Sequence, residues 1–125
     1  MTTAEELLAQ ARSRLERLDA AAASRAMADG GLLVDIRSEV QRAADGVVPG
    51  SVFIPRNVLE WRCDPASAWR DKRIPPGRRL VIMCNEGYQS SLAAATLCHL
   101  GADATDLDGG FRAWREAGLP VAAAP

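Results

Sequence analysis

A short apolar run, Leu80 to Met83, ends on Cys84, and a polar loop then leads into a helical pattern near Ser90. A continuous apolar run of this length is typical of a strand in a parallel sheet, because helices cover both faces of such a sheet. The strand, loop and helix order places the thiol beside a helix N-terminus, where unpaired backbone N–H groups and aligned peptide dipoles favour an anion. We therefore predict that Cys84 is a nucleophile.

The rest of the chain alternates short helical and short apolar segments. Helices are predicted over 19–28, 38–44, 90–100 and 111–117, and strands over 32–34, 51–54, 80–83 and 104–107. This order predicts an α/β three-layer sandwich with a mostly parallel sheet and helices on both faces. In such sheets, sites form beyond the carboxyl ends of the strands, so Asp35 and Cys84 are expected at the same edge. Prolines and arginines make residues 55–79 an irregular segment with one or two short helices.

Residues 1–18 are predicted to form an amphipathic helical extension that precedes the domain at 19–125. Leu8, Leu15 and Leu18 recur at helical spacing, so one helix is expected from Ala4 to Leu18. Its apolar stripe can pack on its own domain or form a dimer or partner surface, and the first of these is favoured.

Composition narrows the class of protein further. The chain has 125 residues, 48% of them hydrophobic, which suits one domain, and its net charge of -1 gives no basic surface for nucleic acid or an anionic membrane. No segment resembles a membrane span or a secretion signal, so we expect a cytoplasmic protein. Three widely spaced cysteines and one histidine predict neither a disulfide framework nor a zinc site, and no cofactor is expected.

Two familiar cysteine chemistries fit the loop poorly. A cysteine protease needs a histidine beside the thiol, but His99 lies at the far end of the predicted helix, on the order of 13 Å from its entrance at about 1.5 Å per residue. A cysteine phosphatase needs the pattern C-x5-R, because a guanidinium holds phosphate oxygens in pairs. Here Ser90 occupies the position of that arginine, and Glu86 would repel a dianion.

Four motifs in order make the chain resemble a single-domain rhodanese, a rhodanese-like sulfurtransferase, from about Asp19 to Pro120. The resemblance is carried by Leu32–Glu39 (LLVDIRSE), Gly46–Ser51 (GVVPGS), Cys84–Ser90 (CNEGYQS, similar to C-x-x-G-x-R-S), Leu107–Trp114 (LDGGFRAW) and the following Gly118-Leu119-Pro120. The resemblance implies the rhodanese-like three-layer fold and sulfur transfer through a persulfide on Cys84. The donor would be thiosulfate or another persulfide or thiol donor, and the acceptor cyanide, a thiol or a protein cysteine.

The chemistry of the loop agrees with this implication. Backbone amides from Glu86 to Ser91 can converge on an anionic sulfur, and Gly87 permits the tight curvature that this requires. The expected anion-binding loop consists of Asn85, Glu86, Gly87, Tyr88, Gln89 and Ser90.

The loop departs from the family pattern at Gln89, where many members carry an arginine. A small dianion should therefore be held less well, unless Arg37, Arg56 or Arg62 replaces the missing charge at the pocket mouth. Arg56 is the main candidate, and solvation at the surface is its alternative.

Other residues are expected to play supporting parts. Asp35 is predicted to orient the loop by accepting hydrogen bonds. Arg37 is expected to pair with Glu39, to support the loop or to lie at the surface. Cys63 could resolve a Cys84 persulfide to a disulfide, and Cys98 is expected to be buried.

Two other classes of function remain open. A non-catalytic rhodanese module could bind a partner or deliver sulfur within a complex, although such modules commonly lack the cysteine that is present here. A phosphatase or arsenate reductase is opposed by Gln89 and Ser90.

Overall fold

The computed structural model describes residues 1–125, which form a four-stranded parallel sheet flanked by six α-helices. The strands are β1 (Leu32–Asp35), β2 (Val52–Phe53), β3 (Leu80–Met83) and β4 (Ala104–Asp106), in the spatial order β2-β1-β3-β4. The helices are α1 (Ala4–Arg12), α2 (Ala20–Ala28), α3 (Glu39–Asp45), α4 (Leu59–Cys63), α5 (Gln89–His99) and α6 (Gly110–Glu116), and a 3-10 turn, Arg56–Val58, precedes α4. None of the helices combines the length and the apolar character needed to cross a membrane.

The central strands β1 and β3 are buried on both faces, which explains their unbroken apolar sequences. Leu32, Val34 and Ile82 join a core that includes residues of α4 and α5, whereas Leu33 and Val81 join a second core that includes residues of α2 and α6. Successive side chains of a strand point to opposite faces, so the two cores are two layers of one sandwich. The predicted α/β three-layer architecture is confirmed.

The helix starts follow the capping chemistry of the sequence. The Asp19 carboxylate accepts a hydrogen bond from the Ala22 N–H at 2.8 Å, and the Ser38 hydroxyl accepts one from Gln41 N–H at 3.1 Å. Each cap satisfies an N–H group that has no partner within its helix. Both predicted helices therefore begin within one residue of their expected positions.

The predicted N-terminal helix from Ala4 to Leu18 is wrong in its second half, because α1 ends at Arg12. Beyond it the chain turns and runs beside β4, where the Leu18 N–H donates to the Asp106 carbonyl at 3.0 Å. Leu15 and Leu18 pack against the two cores instead of extending an apolar stripe. Tertiary packing at the sheet edge overrides the helical spacing of the leucines.

Residues 64–79 contain no regular helix or strand, as expected, and the Asp71 carboxylate orders them. Asp71 is 3% exposed and accepts hydrogen bonds from the Arg73 N–H (2.8 Å), from Arg73 Nη2 (2.7 Å) and from Arg62 Nη2 (3.2 Å). The hydrogen bond from the Arg73 side chain is the main reason that the pKa of Asp71 lies well below its usual range. A carboxylate stabilised in this way contributes to folding only while it is ionised.

We predict that Asp71→Asn lowers the free energy of unfolding by about 1 to 2 kcal/mol at neutral pH, a range that allows for the exposure of both arginines. Because the folded-state pKa is lowered, this contribution is complete above the unfolded pKa of about 4 and is lost as the pH falls further. Denaturant unfolding of the wild type and the variant at pH 7 and near pH 2.5 should therefore give a smaller difference at low pH. Asp45→Asn, at an exposed position, is the control. An equal difference at both pH values would contradict this account.

Candidate active site around Cys84

Cys84 follows the carboxyl end of β3, and its sulfur faces the start of α5. The Sγ atom accepts hydrogen bonds from the backbone N–H groups of Gly87 at 3.2 Å and Ser90 at 3.4 Å. The residue is 7% exposed and lines a cavity of about 720 Å³. The sulfur is thus held among amide donors while the cavity gives a small molecule access to it.

Further amides of the loop are free to bind an anion. The N–H groups of Glu86, Tyr88 and Gln89 donate to no acceptor within the protein. Gly87, with φ at +93°, gives the loop a curvature that residues with a Cβ rarely adopt. Five successive residues, 86–90, therefore each present an N–H that binds Sγ or has no protein acceptor.

The floor of the loop is the N-terminus of α6. The Phe111 N–H donates to the Cys84 carbonyl at 2.9 Å, and the Arg112 N–H donates to the Asn85 carbonyl at 3.1 Å. This contact needs glycine at 110, because a Cβ there would lie 2.5 Å from the Cys84 carbonyl oxygen, and the φ of +62° is also strained for other residues. The double glycine of the LDGGF motif thus lets the helix end dock directly under the cysteine.

The cavity has no excess of positive charge. Four of the six predicted loop residues line it, namely Asn85, Glu86, Tyr88 and Gln89. Gly87 and Ser90 are not in the lining and contribute the N–H groups that contact the sulfur. The charged residues on its wall are Arg37, Glu39, Arg56 and Glu86. Arg56 contacts both oxygens of Glu60, at 2.9 and 3.0 Å, so much of its charge is neutralised.

Asp35 and Arg37 do not support the loop as expected, because they bind each other. Asp35 is fully buried and accepts hydrogen bonds from Arg37 Nε at 3.0 Å, Arg37 Nη2 at 2.8 Å and Arg42 Nε at 3.1 Å. Arg37 is only 2% exposed, and its guanidinium lies 3.9 Å from the centre of the Phe111 ring, so the expected pairing with Glu39 and the surface alternative are both wrong. A buried carboxylate binds the nearest guanidinium groups, because leaving a buried charge unpaired costs free energy of folding.

Two cavity residues carry buried polar atoms without partners. Arg37 Nη1 and Asn85 Oδ1 make no hydrogen bond within the protein. Such atoms are uncommon in folded proteins, so a donor and an acceptor are left for a bound molecule or solvent.

Three sequence-based expectations outside the loop also need correction. Arg62 contacts Asp71 and the Trp69 carbonyl and does not line the cavity. Cys63 is 1% exposed, and burial raises the pKa of its thiol to about 12, which opposes a role as a resolving thiol at neutral pH. Cys98 is exposed, and its thiol donates to the Ala104 carbonyl at 3.1 Å.

The carboxylate that does support the loop is Asp106, at the carboxyl end of β4. It is fully buried and accepts hydrogen bonds from the hydroxyls of Ser90 and Ser91, both at 2.8 Å, and from Arg17 Nε at 3.0 Å. The sequence pattern predicts only that residue 106 lies in a strand. Its position at the carboxyl edge of the strand next to β3 was the available signal, since polar residues at that edge meet the loop.

Comparisons with known proteins place this geometry in a family. The sequence model of the rhodanese-like domain matches residues 19–117. A search of curated proteins found no match.

Solved structures show the same fold. A protein of unknown function from Rhodopseudomonas palustris, described as a possible tyrosine phosphatase, is 32% identical with a TM-score of 0.89, covering 98% of this chain and 96% of that one. A rhodanese-related protein from Thermoplasma volcanium is 24% identical with a TM-score of 0.70, covering 86% and 98% of the two chains. A thiosulfate sulfurtransferase from Pseudomonas aeruginosa is 24% identical with a TM-score of 0.71, covering 88% of this chain and 20% of that one. The chain therefore belongs to the rhodanese-like domain family.

Proposed function

We propose that this protein is a sulfurtransferase in which Cys84 carries sulfane sulfur as a persulfide. The observation that carries the proposal is the pair of backbone N–H groups, from Gly87 and Ser90, that contact the Cys84 sulfur within an accessible cavity. Amides fixed in this way stabilise negative charge on sulfur without reorganising during the reaction. Membership in the rhodanese-like family supports the same chemistry.

In the first step the Cys84 thiolate attacks the outer sulfur of a persulfide donor, R–S–S⁻. The sulfur–sulfur bond of the donor breaks, R–S⁻ leaves with the bonding pair, and Cys84 becomes a persulfide anion. The unpartnered N–H groups of Glu86, Tyr88 and Gln89 are the donors available to the new terminal sulfur. No net oxidation occurs, because one sulfur–sulfur bond replaces another.

In the second step a thiolate acceptor or cyanide attacks that terminal sulfur. The persulfide bond breaks, the acceptor leaves with one added sulfur, and the Cys84 thiolate is restored with its two hydrogen bonds. Two displacements with a covalent intermediate thus replace one direct transfer. An acceptor can be a small thiol or the cysteine of a protein.

The charges of the cavity favour a persulfide donor over thiosulfate. Gln89 is uncharged, and Arg56 is paired with Glu60. Glu86 is half-exposed on the wall, where Arg112 Nη1 lies 3.3 Å from its Oε1. A dianion finds no free cation on the loop, whereas a persulfide carries one negative charge less. The proposed physiological donor is accordingly a persulfide.

A phosphatase is the second candidate, because the Rhodopseudomonas palustris protein is described as a possible one. Against it, Ser90 stands where a phosphatase loop has its arginine, and this serine is buried against Asp106. Without a guanidinium in the loop, a phosphate dianion lacks its usual bidentate partner.

The proposal predicts a persulfide adduct on one residue. The protein is incubated with cysteine persulfide, mercaptopyruvate or thiosulfate, and intact mass spectrometry should detect one added sulfur that dithiothreitol removes. Cys84→Ser should show no adduct, and Cys98→Ser, at an exposed thiol, is the matched control that keeps it. If no donor adds sulfur, the proposal fails in favour of a non-catalytic binding or delivery module. Phosphate release from an aryl phosphate that requires Cys84 would favour the phosphatase.

A second prediction tests the donor preference. Gln89→Arg adds a cation to the cavity wall, so kcat/KM for thiosulfate should rise about tenfold. The value for cysteine persulfide should change by less than about threefold, because one negative charge gains less from the added cation. Gln10→Arg adds the same charge on α1, outside this cavity, and should leave both values unchanged. An equal effect of Gln89→Arg on the two donors would contradict the preference.

A further inference from the structure

The Gly87 carbonyl, on the cysteine loop, is held by two arginines from the N-terminal segment, residues 1–18. Arg12 Nη2 and Arg17 Nη2 both donate to this oxygen at 2.8 Å, and the Ser91 hydroxyl lies 3.3 Å from it. The N–H of the same glycine donates to the Cys84 sulfur at 3.2 Å. One residue thus joins the sulfur to the N-terminal segment.

We propose that Arg12 and Arg17 are positioning residues for sulfur transfer, which hold the 87–88 peptide so that the loop presents N–H groups to the sulfur. This inference rests on the proposed function. The peptide bonds are all trans, so the Gly87 carbonyl and the Tyr88 N–H point in opposite directions. Two charged donors on the carbonyl fix the direction of that N–H, which has no acceptor within the protein.

Reversal of the 87–88 peptide would weaken the anion-binding site. It would replace the Tyr88 N–H by the Gly87 carbonyl oxygen and would turn a partial negative charge toward the anion that the loop has to stabilise. Glycine at 87 allows such rotation more readily than other residues, so an external restraint has a specific purpose here. Hydrogen bonds from charged donors are the stronger kind and suit that purpose.

Arg17 is itself fixed by carboxylates. Its Nε and Nη2 atoms donate to the two oxygens of Asp106 at 3.0 and 3.2 Å, and Nη1 lies 3.1 Å from Asp108. Burial alone would lower the pKa of Arg17, but the hydrogen bond and charge of Asp106 outweigh it, so the pKa is raised and the guanidinium stays charged. Asp106 also binds Ser90 and Ser91, so one buried carboxylate organises the arginine and the start of α5 together.

Arg12 contacts the loop at three points and pairs with no carboxylate. Its Nε donates to the Ser91 hydroxyl at 3.1 Å, and its guanidinium lies 5.6 Å from the centre of the Tyr88 ring, in addition to the bond to Gly87. No carboxylate oxygen lies within ion-pair distance of it. Its positive charge therefore remains behind the loop, which at Gln89 lacks a cation of its own.

Both arginines precede residue 19, where the match to the rhodanese-like domain begins. The N-terminal segment therefore completes the cysteine loop of this chain in addition to covering α5. Arg12 is the better residue to test, because removing Arg17 would also leave Asp106 buried without its main cation.

The test compares Arg12→Ala with Arg14→Ala in the full chain. Arg14 belongs to the same segment but contacts His99, with Arg14 Nη1 2.6 Å from His99 Nε2, and makes no hydrogen bond to the loop. The rate constant for iodoacetamide alkylation is read on the Cys84 peptide by mass spectrometry, because the exposed thiol of Cys98 reacts with the same reagent. Persulfide transfer is followed as kcat and KM, and thermal unfolding reports on the fold.

We expect Arg12→Ala to slow Cys84 alkylation about tenfold and to lower kcat similarly, with KM changed less than about twofold. Methylguanidinium in solution should restore part of both rates in Arg12→Ala and have no effect on Arg14→Ala, which should match the wild type. Rescue by a soluble guanidinium would not follow from a general loss of structure.

Wild-type rates in Arg12→Ala, or equal losses in both variants, would overturn the inference. If the wild type transfers no sulfur at all, the proposed function fails, but the alkylation rates still decide whether Arg12 positions the loop. Arg17→Lys offers a second variant that keeps the charge and loses the paired contact with Asp106. Slower alkylation in Arg17→Lys supports positioning by the guanidinium fork, and an unchanged rate opposes it.

Discussion

The hydrogen bonds from two loop amides to the Cys84 sulfur are the interaction on which the rest of the site depends. They require a loop that curves at Gly87, where φ is +93°. They also require the N-terminus of α6 to lie directly against the backbone of the loop, which the absence of a side chain at Gly110 allows. The parallel sheet supplies the setting, because β3 delivers the cysteine and α5 begins directly after the loop. The fold thus converts an ordinary apolar strand and a short polar segment into a place for a sulfur anion.

The sequence predicts the architecture well because its signals are local. The apolar runs of β1 and β3, the caps Asp19 and Ser38, and the glycines after β4 each act within a few residues. The one element whose extent is predicted wrongly is the N-terminal helix. The leucine spacing up to Leu18 is helical, but the segment that ends at Leu18 pairs with the edge of β4, and local spacing does not reveal such a distant partner. The conformation of residues 64–79 depends on Asp71 and its arginines, and hydrophobic periodicity gives no indication of such a cluster.

The supporting residues of the site were harder to foresee because their partners are distant in sequence. Arg17 is separated by 89 positions from Asp106, and Arg12 by 75 from Gly87. The sequence predicts a supporting role for Asp35 and leaves Arg37 between support and the surface, whereas in the structure the two side chains bind each other. Contacts of charged side chains over long separations follow from topology, which a single sequence gives only in outline. The cysteine loop therefore has no cation of its own, and the guanidinium groups of Arg12 and Arg17 lie behind it.

A crystal structure of the protein after treatment with a persulfide donor tests the account most directly. It should contain a second sulfur bonded to Cys84 Sγ, within hydrogen-bonding distance of one or more of the N–H groups of Glu86, Tyr88 and Gln89, with the Gly87 carbonyl still bound by Arg12 and Arg17. A terminal sulfur that turns toward the solvent without amide contacts, or a loop whose 87–88 peptide has reversed, would contradict the claim that these amides are the anion site.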